Sequence, residues 1–357
     1  MGDILGLGMT HYPPLAGRDE NMTGIIRWTL QDPDIPAELK LPANWPPQMR
    51  EEFGTDNGKA AAAIHRTRLV DGLDTVRDAL DEFQPDFTVI WGDDQYENFK
   101  EDVIPPFCIL GYDDMQTRPW SMRAPGMPGA NNIWGEPEDH VLTIKGHRAG
   151  AKALASGLLE EGFDVCYSYK PLHVESMGHA FLNSLSYLDY HRRGFDHRVV
   201  CFAINCYGSR VIALKGGMGR FADMPKAEDL DPPAPSPQRC FDLGAATARV
   251  LLQSPYCVAL IASSSWSHAF LHDKAWRLYP DIESDRSLYA ALRDGDFGKW
   301  RNTPLAAVED AGQQEMLNWF CLAGAMAELN RKPTWSDYIE SHAFNSNKCF
   351  AVFKSNG

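Results

Sequence analysis

Residues 87–99 read FTVIWGDDQYENF, an apolar run that changes into a polar and acidic cluster within a few positions. The apolar run predicts a buried strand, and the cluster Asp93-Asp94-Gln95 follows it directly. In open α/β sheets, ligands bind at the carboxyl ends of the strands. The stretch therefore predicts part of a functional site rather than a solvated loop.

Strand-like runs alternate with helix-like runs along the rest of the chain. This order predicts an α/β fold in which helices cover both faces of a mixed or mainly parallel central sheet. We expect a single domain over residues 1–357. The predicted strands are 4–9, 87–91, 165–169, 199–205 and 258–263, and the predicted helices are 58–82, 146–161, 178–190, 241–253 and 308–329.

Three long segments between these elements are rich in Pro, Gly, Trp and Met, namely 13–55, 111–140 and 216–238. Loops of that length in a compact domain commonly act as covers or as walls of a binding site. Simple surface elaboration is the alternative. The segments therefore predict inserted loops that either wall a substrate pocket or decorate the surface.

The composition limits the classes of function. The chain has 357 residues, of which 44% are hydrophobic and 23% charged, and its formal net charge is −14. A strongly acidic protein is a poor partner for nucleic-acid backbones and anionic membranes, so a small-molecule substrate is expected. The amino terminus shows no secretory signal and no apolar run approaches the ~18 residues of a membrane span, which predicts a cytoplasmic location. The eight cysteines form no CxxC pair and are expected to be reduced core thiols.

Three residues outside the acidic cluster have the chemistry of ligands or catalysts. His11 follows the first predicted strand, and His268 follows a strand that ends in the serine-rich run ASSSWSH (262–268). Glu315 stands near the start of an apolar helix. Two of these residues have a specific structural alternative. The serine-rich run before His268 could serve as a helix cap through Ser267, and Glu315 could simply complement the dipole of its helix.

The order of these motifs resembles the class III extradiol ring-cleavage dioxygenases, typified by the β subunit of protocatechuate 4,5-dioxygenase. Further matches are VIPPF (103–107), PSPQRCFDLG (235–244) and SHAFNSN (341–347), so the resemblance covers nearly the whole chain. It implies one catalytic domain that uses non-heme Fe(II). On that resemblance, His11 and Glu315 are iron ligands, His268 is the acid/base, and His179 is a second histidine that faces substrate or dioxygen.

The chain departs from the family pattern at one position. The family has Asn-Asp-His where this chain has Asp93-Asp94-Gln95, so Gln95 stands in the place of the second iron-binding histidine. A facial triad of two histidines and one carboxylate binds Fe(II), and an amide oxygen is a poorer donor than imidazole. Either His65 reaches the metal from the helix that begins near residue 58, or Gln95 serves as a weak ligand or orients one.

The resemblance also implies the chemistry and the partners. A catechol-type substrate, such as a lignin-derived, methoxylated or carboxylated one, would bind with dioxygen, and His268 would accept a phenolic proton. A carboxylated substrate requires a cation, for which Arg118, Arg123 and Arg239 are candidates. A homo-oligomer such as a dimer is expected, and closure by a small lid subunit is one option. A metal-dependent enzyme of the same fold without ring cleavage and a non-catalytic binding homologue are the alternatives.

Overall fold

The computed structural model describes residues 2–121 and 127–355. Within these residues, one sheet has eight strands in the order β6-β3-β7-β2-β8-β1-β10-β9, and β4 and β5 form a separate pair. The strands are β1 (Ile4–Met9), β2 (Phe87–Asp93), β3 (Phe107–Leu110), β4 (Met115–Thr117), β5 (Leu142–Ile144), β6 (Cys166–Ser168), β7 (Val199–Ile204), β8 (Val258–Ser263), β9 (Trp335–Ile339) and β10 (Lys348–Phe353).

The four central strands β7, β2, β8 and β1 run parallel to one another. Antiparallel strands flank them, since β3 is antiparallel to β7 and β10 is antiparallel to β1. The predicted mixed and mainly parallel sheet is therefore confirmed. Because parallel neighbours end at the same edge, four strand ends meet along one side of the sheet.

Helices cover both faces of this sheet. They are α1 (Gly24–Thr29), α2 (Pro47–Phe53), α3 (Lys59–Phe83), α4 (Arg148–Glu160), α5 (His179–Leu188), α6 (Gly208–Ala213), α7 (Pro237–Leu252), α8 (Ile282–Asp294), α9 (Phe297–Arg301), α10 (Leu305–Asp310) and α11 (Leu317–Glu328). None of the helices within the described ranges combines the length and the apolar character that a membrane crossing requires.

Two hydrophobic cores lie on opposite faces of the sheet. Val89 and Trp91 of β2 belong to the core that α7 and α11 complete, whereas Ile90 belongs to the core that α3 and α5 complete. This division follows from the period of two in a strand, which points successive side chains to opposite faces. Both faces of the strand are apolar because both are covered.

The predicted helix 308–329 is wrong. The chain forms α10, then a left-handed turn at Gly312 (φ 68°), then a short 3₁₀ turn and α11. A Cβ at Gly312 would lie 2.5 Å from the carbonyl oxygen of His268, so glycine is required by space as well as by φ. The break places Glu315 in the 3₁₀ turn Gln314–Met316 rather than inside a long helix.

Candidate metal centre and active site

Ends of the four central parallel strands supply the polar residues of the candidate site. His11 follows β1 by two residues, Asp93 is the last residue of β2, and Tyr207 follows β7 closely. His268 follows β8 after the serine-rich run. The sequence folds this way because each strand is an apolar run that ends where small or polar residues begin.

A cavity of about 840 Å³ opens at this edge of the sheet. Its lining includes His179, His268 and Glu315, together with residues of all three long segments. These segments contribute Pro13, Pro14, Gly17, Asn21, Ile25, Met127, Pro128, Asn131, Gly216, Gly217 and Met218. All three long segments therefore contribute to the wall of this cavity, and part of the segment 13–55 is helical in α1 and α2.

His11 is held with one ring nitrogen directed into the site. Its Nδ1 lies 2.9 Å from the carbonyl oxygen of Ser263, which makes Nδ1 the protonated nitrogen. Its Nε2 lies 3.5 Å from Oδ1 of Asp93 and 3.7 Å from Oε2 of Glu315. Burial, and then the nearby His179, lower the pKa of His11 to about 3, so the ring is neutral and its Nε2 lone pair is free.

Asp93 is fully buried and poorly paired. Its Oδ2 has no hydrogen-bond partner among the described residues, whereas Asn318, at a long 3.5 Å from Oδ1, and the Tyr207 hydroxyl donate to the carboxylate. Burial nevertheless raises the pKa of Asp93 above its ordinary value. One oxygen of this carboxylate therefore lacks the donor that a buried acid normally has.

Glu315 faces the same space from the 3₁₀ turn before α11. The Tyr207 hydroxyl donates to its Oε1 at 2.6 Å, and the Nε2 atom of His268 lies 3.3 Å from the same oxygen. Burial and then the charge of Asp93 raise the pKa of Glu315 well above its ordinary value. Two buried carboxylates thus repel each other across His11.

His179 begins α5 and is fixed by Glu97. The two carboxylate oxygens of Glu97 accept from the ring Nδ1 and the backbone N–H of His179, at 2.7 and 2.8 Å. Burial alone would lower the pKa of His179, but the Glu97 carboxylate outweighs it and raises the pKa to about 10. With Nδ1 held by Glu97, the Nε2 atom of His179 is left for the site.

His268 is buried beside Glu315 and lines the cavity. Its Nδ1 has no hydrogen-bond partner within the described part of the chain. Burial, and then the charge of Lys348, lower the pKa of His268 to about 3, so the imidazole is neutral at physiological pH. A neutral ring with a free nitrogen can accept a proton from a bound molecule.

A fully bonded network lies directly behind His268, and we call it the Asp285 network. The Asp285 carboxylate accepts from the backbone N–H of Ser267 and from the side-chain amides of Gln313 and Asn347, at 2.6 to 2.9 Å. Ser267 does not cap a helix at its own position; its hydroxyl donates to Ala311 and accepts from the backbone N–H of Asp281. The network therefore fixes the segments that carry His268 and Glu315.

The Gln95 side chain is held beside Gly216 and Tyr207. Its amide Nε2 donates to the carbonyl oxygen of Gly216 at 2.7 Å, and its Oε1 lies 3.4 Å from the Tyr207 hydroxyl. The cause is the turn after β2, in which Asp94 accepts the backbone N–H groups of residues 97–99 and Tyr96 takes a φ of 58°. Gln95 lines the cavity as part of its wall.

His65 lies in α3 and packs between aromatic rings. Its ring centroid is 4.8 Å from that of Phe344 and 6.2 Å from that of Tyr12. Burial, and then the charge of Lys348, lower its pKa well below the ordinary value. The structure does not place His65 with His11, Asp93 and His179, whose ligand atoms all lie within 4.8 Å of one another.

The sequence did not predict roles for four residues of the site, Asp93, Glu97, Tyr207 and Asn318. Asp93 was predicted only as a member of the acidic cluster. Signals for two of them exist in the sequence. Tyr207 follows a predicted strand, as the other site residues do, and Asn318 is three positions after Glu315, which shares a helix face.

The donor set fits a divalent metal ion. His11 Nε2, a carboxylate oxygen of Asp93 and His179 Nε2 form one compact group of buried ligand atoms, and Glu315 borders it. The bare Oδ2 of Asp93 and the repulsion between Asp93 and Glu315 are both relieved by a cation in this position. Imidazole and carboxylate together suit iron, zinc and manganese.

The cavity contains cations other than the arginines expected from the sequence. Lys100 and Lys215 belong to its lining, whereas Arg118 and Arg239 do not. Arg239 instead lies over the ring of Phe163, with its Cζ 4.0 Å from the ring centroid. Arg123 lies outside the described residues.

The fold is thus an α/β sheet with a group of potential metal ligands at the carboxyl ends of its parallel strands. No family model matches the chain. A protein of Pseudomonas putida named 2,3-dihydroxyphenylpropionate/2,3-dihydroxicinnamic acid 1,2-dioxygenase 2 is 26% identical to it over 179 residues, covering 44% of this chain and 49% of that protein. The chain thus matches about half the length of this curated relative. The match supports a relationship to ring-cleavage dioxygenases, in agreement with the motif resemblance.

Proposed function

We propose that the protein is a non-heme Fe(II)-dependent extradiol dioxygenase that opens the ring of a catechol-type aromatic with dioxygen. The observation that carries this proposal is the meeting of His11, Glu315 and His268 at the mouth of four parallel strands, beside a cavity of about 840 Å³. His11 and Glu315 supply two potential metal ligands, and the neutral His268 beside them supplies a group that can accept a proton. Both kinds of group take part in such a reaction. The match to a dioxygenase of Pseudomonas putida supports the same class.

In this proposal, His11 and Glu315 hold the ion. When bound, Fe(II) supplies a template that brings the two substrate oxygens and dioxygen together and lets electron density pass between them. The chain's own residues then orient the substrate and move protons. Tyr207 keeps Glu315 in place through its 2.6 Å hydrogen bond.

His268 is the proposed acid/base. Its ring is neutral and its Nδ1 is unpaired among the described residues, so that nitrogen can accept the second phenolic proton. The transfer would leave a phenolate on the substrate and an imidazolium at His268, and the Glu315 oxygen 3.3 Å from Nε2 would stabilise that imidazolium. His179, held by Glu97, lies on another side and would donate to a substrate or dioxygen oxygen.

The cavity supports an aromatic substrate larger than a single unsubstituted ring. Apolar side chains such as Ile25, Met127 and Phe270 contribute to its lining, together with polar groups at Asn21 and Lys100. We propose a lignin-derived, methoxylated or carboxylated catechol as the substrate class. The whole chain of residues 1–357 would act as one catalytic domain in the cytoplasm, as a homo-oligomer such as a dimer, with a small lid subunit as one means of closure.

The experiment that tests this function is dioxygen uptake by anaerobically purified, Fe(II)-loaded protein against catechols, gallates, methoxycatechols and aminophenols. We expect uptake in step with a coloured, ring-opened product for at least one substrate. The zinc-loaded protein is the matched control, because Zn²⁺ has no redox chemistry and should support no uptake. Absence of uptake with every substrate, from protein shown to hold iron, would exclude the proposed reaction for this panel.

A metal-dependent enzyme of the same fold without ring cleavage is the second candidate. The residue Gln95 favours this candidate, because it replaces the second histidine at the family's usual position and its amide is bound to Gly216. Such an enzyme would prefer zinc and hydrolyse its substrate with a metal-activated water. Tight zinc binding together with no dioxygen uptake in the same assay would support this candidate.

A further inference from the structure

We propose that Asp93 is the third protein ligand of the metal, in the role that the family gives to the missing histidine. The ligand set would then be His11, Asp93 and Glu315, one imidazole and two carboxylates. His179, whose Nδ1 is bound to Glu97, belongs to the same group of nearby atoms and keeps its proposed role of facing substrate or dioxygen. The inference rests on the metal site of the proposed function but not on its dioxygen chemistry. In this proposal, the acidic cluster at the end of β2 contributes a metal ligand through Asp93 and not through Gln95.

The first support is the burial of Asp93 with one carboxylate oxygen unpaired. The residue is 0% exposed, and Oδ2 has no hydrogen-bond partner in residues 2–121 and 127–355. An ionised carboxylate removed from water is costly unless it is paired, hydrogen-bonded or bound to a metal. Protonation compensates in the metal-free protein, where burial raises the pKa of Asp93, and a bound cation would compensate for the ionised carboxylate.

The second support is distance. Two atoms bound to one ion through bonds of about 2.1 Å lie roughly 3 Å apart at a right angle and roughly 4 Å apart on opposite sides. His11 Nε2 is 3.5 Å from Asp93 and 3.7 Å from Glu315, within that range. An ion next to His11 can therefore contact both carboxylates after small side-chain adjustments.

The third support is orientation by neighbouring groups. The Asn318 amide lies between Asp93 Oδ1 and the Ser263 carbonyl oxygen, at 3.5 and 3.4 Å. The same Ser263 carbonyl accepts from Nδ1 of His11. Metal ligands are commonly held by such contacts, so Asn318 and Ser263 would orient Asp93 and His11 together.

The other two candidates are held elsewhere. Gln95 donates to the Gly216 carbonyl oxygen, and the ring of His65 packs against Phe344 and Tyr12. Bringing the Gln95 side chain to the ion would require its hydrogen bond to Gly216 to break. Asp93 needs no such rearrangement, because it already lies beside His11.

The test compares metal affinity in four proteins: the unaltered chain, Asp93→Asn, Gln95→Ala and His65→Gln. Affinity for Fe(II) and Co(II) is measured anaerobically by competition with a chelator, without any substrate. We expect Asp93→Asn to weaken binding by more than about 100-fold, beyond the ~10–100-fold effect of residues that only support a ligand. The Gln95→Ala and His65→Gln proteins should bind within about tenfold of the unaltered chain.

Thermal unfolding provides the second readout. Added Co(II) should raise the midpoint of the unaltered protein and of Gln95→Ala, and it should leave Asp93→Asn unchanged, because a ligand stabilises only what it binds. The metal-free Asp93→Asn protein should unfold at the same temperature as the metal-free parent or higher. Unchanged metal affinity in Asp93→Asn, or a large loss in His65→Gln or Gln95→Ala, would overturn the proposal.

A further variant covers the case in which Asp93→Asn does not fold. Asp93→His replaces the carboxylate with an imidazole, and the Cu(II)-loaded protein should show one more nitrogen ligand by electron paramagnetic resonance than the parent does. An unchanged nitrogen count would also contradict ligation by this position. Failure of the proposed function is distinguishable, because a protein that binds Fe(II) through Asp93 yet consumes no dioxygen would refute only ring cleavage.

Discussion

Two buried aspartates in this molecule have opposite surroundings. Asp285 accepts three hydrogen bonds from neutral donors, whereas Asp93 has one oxygen without a partner among the described residues. Both are 0% exposed, so burial alone does not separate them. The difference separates a carboxylate that is satisfied by the protein's own donors from one whose unpaired oxygen suits the ligand role proposed for Asp93.

The two surroundings meet at neighbouring residues. Ser267 belongs to the Asp285 network, and the next residue, His268, faces Glu315 in the candidate site. Gln313 likewise belongs to the network and stands two positions before Glu315. The Asp285 network therefore helps to position His268 and Glu315 in the candidate site, as rigid supporting groups commonly do.

The largest expected effect comes from replacing the neutral histidine of the site. His268→Gln should reduce turnover by roughly two to four orders of magnitude, the usual range for a positioned acid or base. Iron content should stay unchanged, because His268 is not among the proposed ligands. Steady-state kinetics and metal analysis on the same preparation check this. Loss of iron together with activity would contradict the assigned role.

The next effect contrasts the two aspartates directly through the same isosteric change. Asp285→Asn should lower the free energy of unfolding by about 2–3 kcal/mol, since the new amide must face at least one donor and leave it unpaired. Asp93→Asn in the metal-free protein should lower it by far less or raise it. Urea denaturation at pH 8 measures both, because burial raises the pKa of Asp285 to about 7. Equal losses in the two variants would remove the distinction.

A third prediction uses an unpaired histidine outside the site. Both ring nitrogens of His272 lack partners among the described residues, and burial lowers its pKa to about 4, below the ordinary value of 6.5. As pH falls from about 6.5 to about 4, the unfolded chain binds the proton first, so the free energy of unfolding should fall by about 3 kcal/mol.

The control for this prediction is His272→Gln, which cannot titrate. The difference between the parent and this variant should be constant above pH 6.5 and should change between pH 6.5 and pH 4. Denaturant titrations across this range measure it. A difference that does not depend on pH would mean that His272 is paired in solution. It would also weaken the inference from the unpaired oxygen of Asp93 to a ligand role.

The smallest expected effect concerns the support of His179. Glu97→Gln keeps the shape but removes the charge that holds the His179 ring and its backbone N–H. We expect about a tenfold loss in kcat, near the lower end for residues that orient a site. The free energy of unfolding should also fall by about 1–3 kcal/mol, because the new amide must face one of the two buried His179 donors. A loss as large as that of His268→Gln would place Glu97 in the chemistry itself.

Much of the fold could be predicted from the sequence because its strands are uninterrupted apolar runs. The bounds of β1 and β8 agree with the predicted 4–9 and 258–263. By contrast, β9 and β10 were not predicted, since β10 carries Lys348 and an otherwise short apolar run near the end of the chain. Lys348 is buried there because its ammonium donates to two carbonyl oxygens, which composition does not reveal.

The candidate site was predicted in its parts but not in its geometry. His11, His268 and Glu315 follow apolar runs or begin an apolar helix, so pattern alone pointed to them, and the structure brings them together. The direction of Gln95 depends on a turn in which Tyr96 has a positive φ. Such a turn depends on side-chain bonds from Asp94 that sequence pattern cannot assign.

The pairing of β1 with β8 and β10 has a consequence for folding. His11 follows β1, whose neighbours in the sheet lie far along the chain at 258–263 and 348–353. Contacts between residues so distant in sequence form slowly, because a long loop must close before they can stabilise the fold. The candidate site is therefore complete only after these distant strands have paired with β1.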